Sequence, residues 1–308
     1  MPSEKDSMRK LLTIWRRTFQ EFSQDKAIKL SASLAYYTIF SIAPLILVLL
    51  FSMGYVLDKE ALEGQLYQYI GQFFGNDAAL QLKSMVARAH LTSGSIFASI
   101  IGIATVVITS TGMFAEMQDS MNLIWGLKTK PEKGLKSLLF NRLTAFIMIF
   151  ILGFILILSL ILETLLFAFS DVLKTMMPEI TFYIVEGINY LFALGVITLL
   201  FAIIFKVLPD AKIRWRHVRV GSLVTALLFL VGNVIIEYYM SAQSLSSVFG
   251  AAGSVIILLL WVYYSAIILY LGAEFTQVYA RMKGYEIRPK SYAVFVKSMN
   301  GENGGKTA

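Results

Sequence analysis

Five polar side chains interrupt stretches that are otherwise apolar: Glu163, Glu186, Asn189, Asn233 and Glu237. Glu186 with Asn189, and Asn233 with Glu237, stand one helical turn apart, so each pair shares a helix face. An ionisable group inside a membrane is costly, and its default reading is functional. Read that way, the five are expected to line an acidic, amide-bearing vestibule for a proton, a cation or a polar head group. Crowded carboxylates there would raise one another's pKa. The plainer reading leaves Glu186 and Glu237 at helix ends among the head groups, with Glu163 set deeper. A second feature is mechanical. Ser31, Ser33, Thr38 and Ser41 precede Pro44, and a proline there frees the carbonyl near Phe40, which hydroxyls can re-satisfy. Ser41 and Pro44 are therefore expected at a kink, and a kink is a candidate hinge.

Other chemistries lack the residues to carry them. There are no cysteines, which excludes disulfides, thiolate ligands and cysteine nucleophiles. The only histidines, His90 and His217, have no partner histidine at metal spacing. No Gly-rich phosphate loop and no G-x-S-x-G elbow occurs. No cofactor, no metal and no enzymatic activity are expected.

The elements that must position the polar set are long and apolar. Hydrophobic types make up 57% of the chain and charged types 15%, against roughly 25% charged in ordinary globular proteins. A helix crossing the hydrocarbon layer needs about 20 mostly apolar residues. Six windows qualify: about 30–53, 95–116, 142–168, 182–207, 218–240 and 252–276. The expected fold is an all-α bundle of six transmembrane helices, because lipid-facing backbone must be satisfied within its own segment. The first window is full length and reads as an uncleaved span rather than a signal peptide.

Lys and Arg test this segmentation. Residues 1–29 hold seven, the second connection five, the fourth connection five and residues 281–308 six, leaving only Lys59, Lys83, Arg88 and Lys174 on the other side. By the positive-inside rule both termini are cytoplasmic. That distribution also accounts for the net charge of +7 without a nucleic-acid partner, and membrane lipids are the expected partners. The organisation is a basic segment 1–29, a membrane domain 30–280 and a cytoplasmic tail 281–308 whose end, 300–308, is expected to be disordered.

Outside the spans, Met8, Leu11, Leu12, Trp15, Phe19 and Phe22 recur at helical spacing, with Arg9, Arg16 and Arg17 off that stripe. Such a helix either lies in the head-group layer or docks on the cytoplasmic end of the bundle. In the first outside connection, 54–94, Leu62, Leu66, Tyr69, Ile70 and Phe73 suggest short helices. The uncharged fifth connection, 241–253, reads as a small-residue loop or a segment that dips toward the membrane. Gly102, Ala104, Gly112, Gly250, Gly253 and Gly272 permit close helix approach. Glu274, Glu116, Asp119 and Lys206 end spans on the basic side, where pairing among themselves or with loop cations is expected.

Four stretches together resemble the YihY/BrkB family of bacterial inner-membrane proteins. They are Ala35-Tyr36-Tyr37-Thr38-Ile39-Phe40-Ser41-Ile42-Ala43-Pro44; Asn122-Leu123-Ile124-Trp125; Leu208-Pro209 with Lys212, Trp215, Val218 and Gly221; and Gly250 to Glu274, with Leu260-Trp261, Tyr264 and Gly272-Ala273-Glu274. The resemblance implies six spans in a bacterial cytoplasmic membrane. It implies less about activity, since members have carried the label ribonuclease BN, or are tied to serum resistance or lipid handling. The nuclease label fits badly, because the metal ligands are missing. The functional expectation is a transporter or flippase-like protein for a lipid, amphipathic or small polar substrate. The alternatives are a non-transporting envelope scaffold and, disfavoured, a membrane-bound ribonuclease.

Overall fold

The computed structural model describes residues 4–53, 108–129, 134–176, 178–242 and 253–296, with eight isolated positions between 64 and 84. Its helices are α1 (Glu4–Gln24), α2 (Ala27–Met53), α3 (Gly112–Ile124), α4 (Gly134–Met176), α5 (Pro178–Val207), α6 (Trp215–Ala242) and α7 (Gly253–Met282). Four very short strands accompany them: β1 (Leu127–Thr129), β2 (Ala211–Lys212), β3 (Arg288–Pro289) and β4 (Ala293–Phe295).

Uninterrupted apolar composition explains the long helices, and the breaks fall at residues that cannot continue them. Pro178 opens α5, at a position where its missing N–H costs nothing. Gly126 follows α3 at φ +66°, a left-handed conformation that glycine adopts without strain, and turns the chain into β1. Among the described residues, four segments are long and apolar enough to cross a membrane: Arg142–Leu162, Gly187–Val207, Trp215–Ile236 and Val255–Met282. They match the third to sixth expected spans, and α2 covers the first. The second, 95–116, lies outside the described residues up to 107, as do most of the first outside connection, the fifth connection from 243 to 252, and residues 297–308. At 43 residues, α4 is about 65 Å long and overruns its expected span at both ends.

The helices pack in a ring: α4 on α5, α5 on α6, α6 on α7, α7 on α2, with α3 set between α2 and α4. The α6–α7 contact is an interlock of two glycines and two threonines. A β-carbon on Gly221 would overlap Thr276 Oγ1 and stand 2.8 Å from its Cβ; one on Gly272 would meet Thr225 in the same way, 2.8 Å from Cβ. Each threonine hydroxyl donates to the carbonyl of the glycine one turn earlier on its own helix, Thr225 to Gly221 and Thr276 to Gly272, both at 2.7 Å. The hydroxyls are thereby satisfied, and the backbones approach as closely as small residues permit.

One end of the ring is stitched by the strands. β1 pairs antiparallel with β4, matching Leu127 to Phe295, and β2 pairs antiparallel with β3, matching Ala211 to Pro289. Residues 283–296 are therefore not a loose tail. They bind together two connections far apart in sequence. α1 joins this end by packing on α7, where Ile14 is buried against Phe275 and Val278 and Glu21 meets Arg281 at 3.0 Å. Trp15 lies 5.1 Å from the Phe275 ring, and Phe22 enters the main core. Docking is thus the fate of one face of α1. Leu11, Leu12 and Phe19 stay exposed as an apolar strip on its other face.

Candidate functional site

The five expected polar residues fall on three helices. Glu163 is on α4, Glu186 and Asn189 on α5, and Asn233 and Glu237 on α6. The side chains of Glu163, Glu186 and Glu237 lie outside the described residues. Asn189 lines a cavity of about 180 Å³ between α4 and α5, with Ser159, Phe192, Ala193, Val196 and Ile197. Among the described residues of the set, Asn233 does not belong to that lining. Asn233 is half-buried on α6, and its Oδ1 is buried with no hydrogen-bond partner among the described residues. Beside the small cavity runs an apolar groove of about 440 Å³, sharing Ser159, Phe192 and Val196 and floored by Gly195.

Both hinge candidates lie on α2. α2 continues as helix through Pro44, and Ser41 does not serve the Phe40 carbonyl. Its hydroxyl donates instead to the Thr109 carbonyl at 2.7 Å, fastening α2 to the chain entering α3. Gly112 leaves the room for this, because a β-carbon there would lie 3.3 Å from Ser41 Oγ. Thr38 donates to Leu34 within its own helix.

At the stitched end sits a polar junction the sequence did not announce. Asp210 is fully buried just after Pro209. Its Oδ1 accepts from Gln118 Nε2 at 2.9 Å and from the Tyr292 hydroxyl at 3.2 Å, and its Oδ2 accepts from Asn122 Nδ2 at 3.0 Å. Its backbone N–H donates back to Asn122 Oδ1 at 2.8 Å, and its carbonyl accepts from the Lys290 N–H at 2.9 Å. One aspartate thus ties together α3, the turn after α5 and the segment between β3 and β4. Lys290 Nζ donates to the Val207 carbonyl at 3.2 Å, and Lys206 donates to the Ile213 carbonyl. Burial pushes the Lys290 ammonium below its usual range, with Asp210 opposing and Lys206 adding to the shift. Burial pushes the Tyr292 phenol well up, reinforced by the charge of Asp210 and the hydrogen bond given to it. Asp119 is raised by burial, then by Glu116 and Asp210, against the pull of Arg142. Close by, Trp125 donates its indole N–H to the Ala273 carbonyl at 3.2 Å, which fixes α3 to α7.

Glu274 departs from the expected pairing with a cation. It is fully buried, no N–H or alcohol donor among the described residues reaches either oxygen, and the group that shares a hydrogen bond with it is a second carboxyl, Asp25. Two carboxyls can be joined only by a shared proton. Burial raises Asp25 above its usual range, despite the hydrogen bond with Glu274 and the nearby Arg281. A raised carboxyl contributes stability that is full below its ordinary range near ~3.9 and is lost as pH rises through the folded value. The purified protein should therefore gain thermal stability as pH falls below neutral. Asp25→Asn, whose amide donates where the acid needs a proton, should raise the unfolding midpoint at pH 7 and flatten that slope. Equal slopes for the two proteins in scanning fluorimetry would show that Asp25 does not carry the effect.

Comparison with known proteins bears on the whole arrangement. A family described as virulence factor BrkB matches residues 18–294, from the last third of α1 into the strand β4. The chain belongs to the BrkB family. Membership fits the four resembling stretches, three of which meet at the stitched end: Asn122 and Trp125, Leu208-Pro209, and Ala273-Glu274. Among BrkB relatives, a UPF0761 membrane protein of Azotobacter vinelandii is 26% identical over 276 residues, covering 85% of this chain and 62% of its own length. Those of Tolumonas auensis (26% identical; 85% and 82% covered) and Pseudoalteromonas atlantica (27%; 86% and 85%) are similar in extent. The chain spans less than two thirds of the Azotobacter protein. No solved structure matches it. The chain is a membrane protein of this family with several apolar helices.

Proposed function

We propose that this BrkB-family chain crosses the bacterial cytoplasmic membrane six times, with both termini inside. In this reading it moves an amphipathic, lipid-like molecule along the α4–α5 groove. The observation that carries the reading is that groove. It is open and apolar, as an acyl chain requires, and beside it Ser159 and Asn189 supply hydrogen-bonding groups suited to a polar head. Glu163 and Glu186 are placed by the backbone on the same two helices, one turn from Ser159 and Asn189 respectively. The orientation is supported by the stitching, which gathers residues 127–129, 211–212 and 288–295 on one end with α1, the four segments that carry most of the Lys and Arg.

Gly195 offers a clean test, because a β-carbon there meets nothing within 4 Å. Gly195→Trp should fill the groove without disturbing the fold. In proteoliposomes reporting fluorescent phospholipid translocation, it should lower the rate at least tenfold with an unchanged unfolding midpoint. A wild-type protein that moves no lipid, or a Gly195→Trp variant as fast as wild type, would refute the reading. Topology is separately checkable because the chain has no cysteine. In intact cells an impermeant maleimide should label Gly75→Cys and spare Gly134→Cys and Lys212→Cys.

A further inference from the structure

Where α6 begins and α7 ends, the structure opens a cavity of about 700 Å³ lined by Lys212, Arg214, Arg216, Lys283 and Arg288, with one carboxylate, Glu286. The positive-inside rule asks only that cations lie on this side of the membrane; it does not ask five of them to converge on one hollow. Among the described residues none of the five forms an ion pair. Two are held in place by aromatic faces rather than by acids. Arg214 lies 4.9 Å over the Tyr285 ring, and Lys283 lies 5.7 Å over that of Tyr279.

The backbone builds the hollow deliberately. Gly284, at φ +72°, ends α7, and the Tyr285 N–H returns to the Ala280 carbonyl at 3.0 Å. This closing turn swings Tyr285 back toward β2, where its hydroxyl donates to the Lys212 carbonyl at 3.2 Å. The strand pair β2–β3 then brings Arg288 opposite Lys212. Between the two tyrosines lies His217, whose ring centroid is 5.0 Å from that of Tyr285 and 6.0 Å from that of Tyr279. His217 is only 6% exposed, and its Nδ1 is buried with no hydrogen-bond partner among the described residues. An unpaired imidazole nitrogen in a wall of unpaired cations is an incomplete set of donors, and what completes it is an anion.

We propose that this cavity is a binding site for a phosphate group, held by Arg214, Arg216, Lys212 and Arg288 with His217 as an additional donor. Guanidinium pairs suit tetrahedral oxyanions because their forks grip two oxygens at once. The same chemistry fits the head group of an acidic phospholipid and a soluble phosphate ester. The site does not depend on the α4–α5 groove or on any transport activity.

The experiment uses the full chain in nanodiscs of purely zwitterionic lipid. One arm titrates glycerol 3-phosphate by calorimetry; the other counts retained lipid by native mass spectrometry after adding a fraction of phosphatidic acid. Saturable binding in the first arm identifies a soluble ester, and stoichiometric retention in the second alone identifies a head group. Arg216→Gln with Arg288→Gln changes two exposed side chains and should weaken the binding at least tenfold. Arg9→Gln with Lys128→Gln, an equal loss of charge elsewhere, should leave it intact. With only two histidines in the chain, a His90→Gln background leaves one imidazole for ¹⁵N NMR, and the His217 nitrogen signals should shift with either probe. No binding in either arm, equal losses in the two charge-matched pairs, or an unmoved His217 signal would overturn the proposal.

Discussion

Replacing Asp210 by leucine should cost the purified protein about 3–5 kcal/mol and lower its unfolding midpoint by about 10 °C. The size follows from what the substitution abandons. Gln118 Nε2, Asn122 Nδ2 and the Tyr292 hydroxyl all point at this carboxylate, and Asp210, Gln118 and Asn122 are almost wholly buried. Each orphaned donor keeps its desolvation penalty and loses its partner, whereas leucine gains only a little apolar burial. Asp210→Asn should behave differently. An amide at this place puts two hydrogens where an oxygen stood, but the Gln118 Oε1 is without a donor and can turn to accept one of them. Most of the stability should survive in Asn, and little in Leu. Thermal unfolding of the three proteins in one detergent makes the comparison. An Asn variant as weak as Leu would mean that charge, and not hydrogen-bond geometry, holds the junction.

The second large effect is expected at the α6–α7 interlock. Gly221→Ala and Gly272→Ala should each destabilise by about 1–3 kcal/mol, since the methyl meets a threonine on a rigid neighbouring helix. The double variant should cost less than the sum. A single parting of the two helices relieves both overlaps, so the sites are coupled. Rescue tells the mechanism apart from helix propensity, which alone would favour alanine. Thr276→Ala should fail to rescue Gly221→Ala, because the obstructing atom is the Thr276 β-carbon at 2.8 Å as well as its hydroxyl. Thr276→Gly should succeed. A stabilised Gly221→Ala protein would contradict the close approach.

The helices were legible in the sequence because their physics is local. Apolar windows of sufficient length must bury their backbone polar groups in helices, and α2, α4, α5, α6 and α7 begin and end within a few residues of the expected spans, apart from the overruns of α4 at both ends and of α7 at its last turns. What escaped reading was non-local. Asp210 finds its partners 88 and 92 residues away, and nothing near Pro209 advertises them. Strands of two or three residues carry no periodicity, so β2 and β3 left no trace in the pattern. The apolar stripe of α1 does lie on a helix, yet Ile14 and Thr18, off its centre, are buried while Leu11 and Leu12 are not. A hydrophobic pattern locates the apolar face, and only the neighbour decides which edge of it is covered. Glu274 was expected to meet a cation and met Asp25, because the turn that brings residue 25 to α7 is a tertiary event. Of the polar set, Asn189 lines the small cavity between α4 and α5. The grouping of all five was a spacing argument, and spacing within a helix says nothing of how helices face one another.

The stitching at the end of the ring also sets an order of assembly. A ribosome delivers α2 through α7 before it reaches Arg288, so every long helix emerges before either two-stranded ribbon has its second half. Until then Asp210 has Gln118 and Asn122 but lacks Tyr292 and the Lys290 amide, and the edges of β1 and β2 are unmatched. Membrane insertion and final locking are thereby separated in time. The bundle is threaded first with slack at one end, and a short stretch of chain arriving later draws it closed.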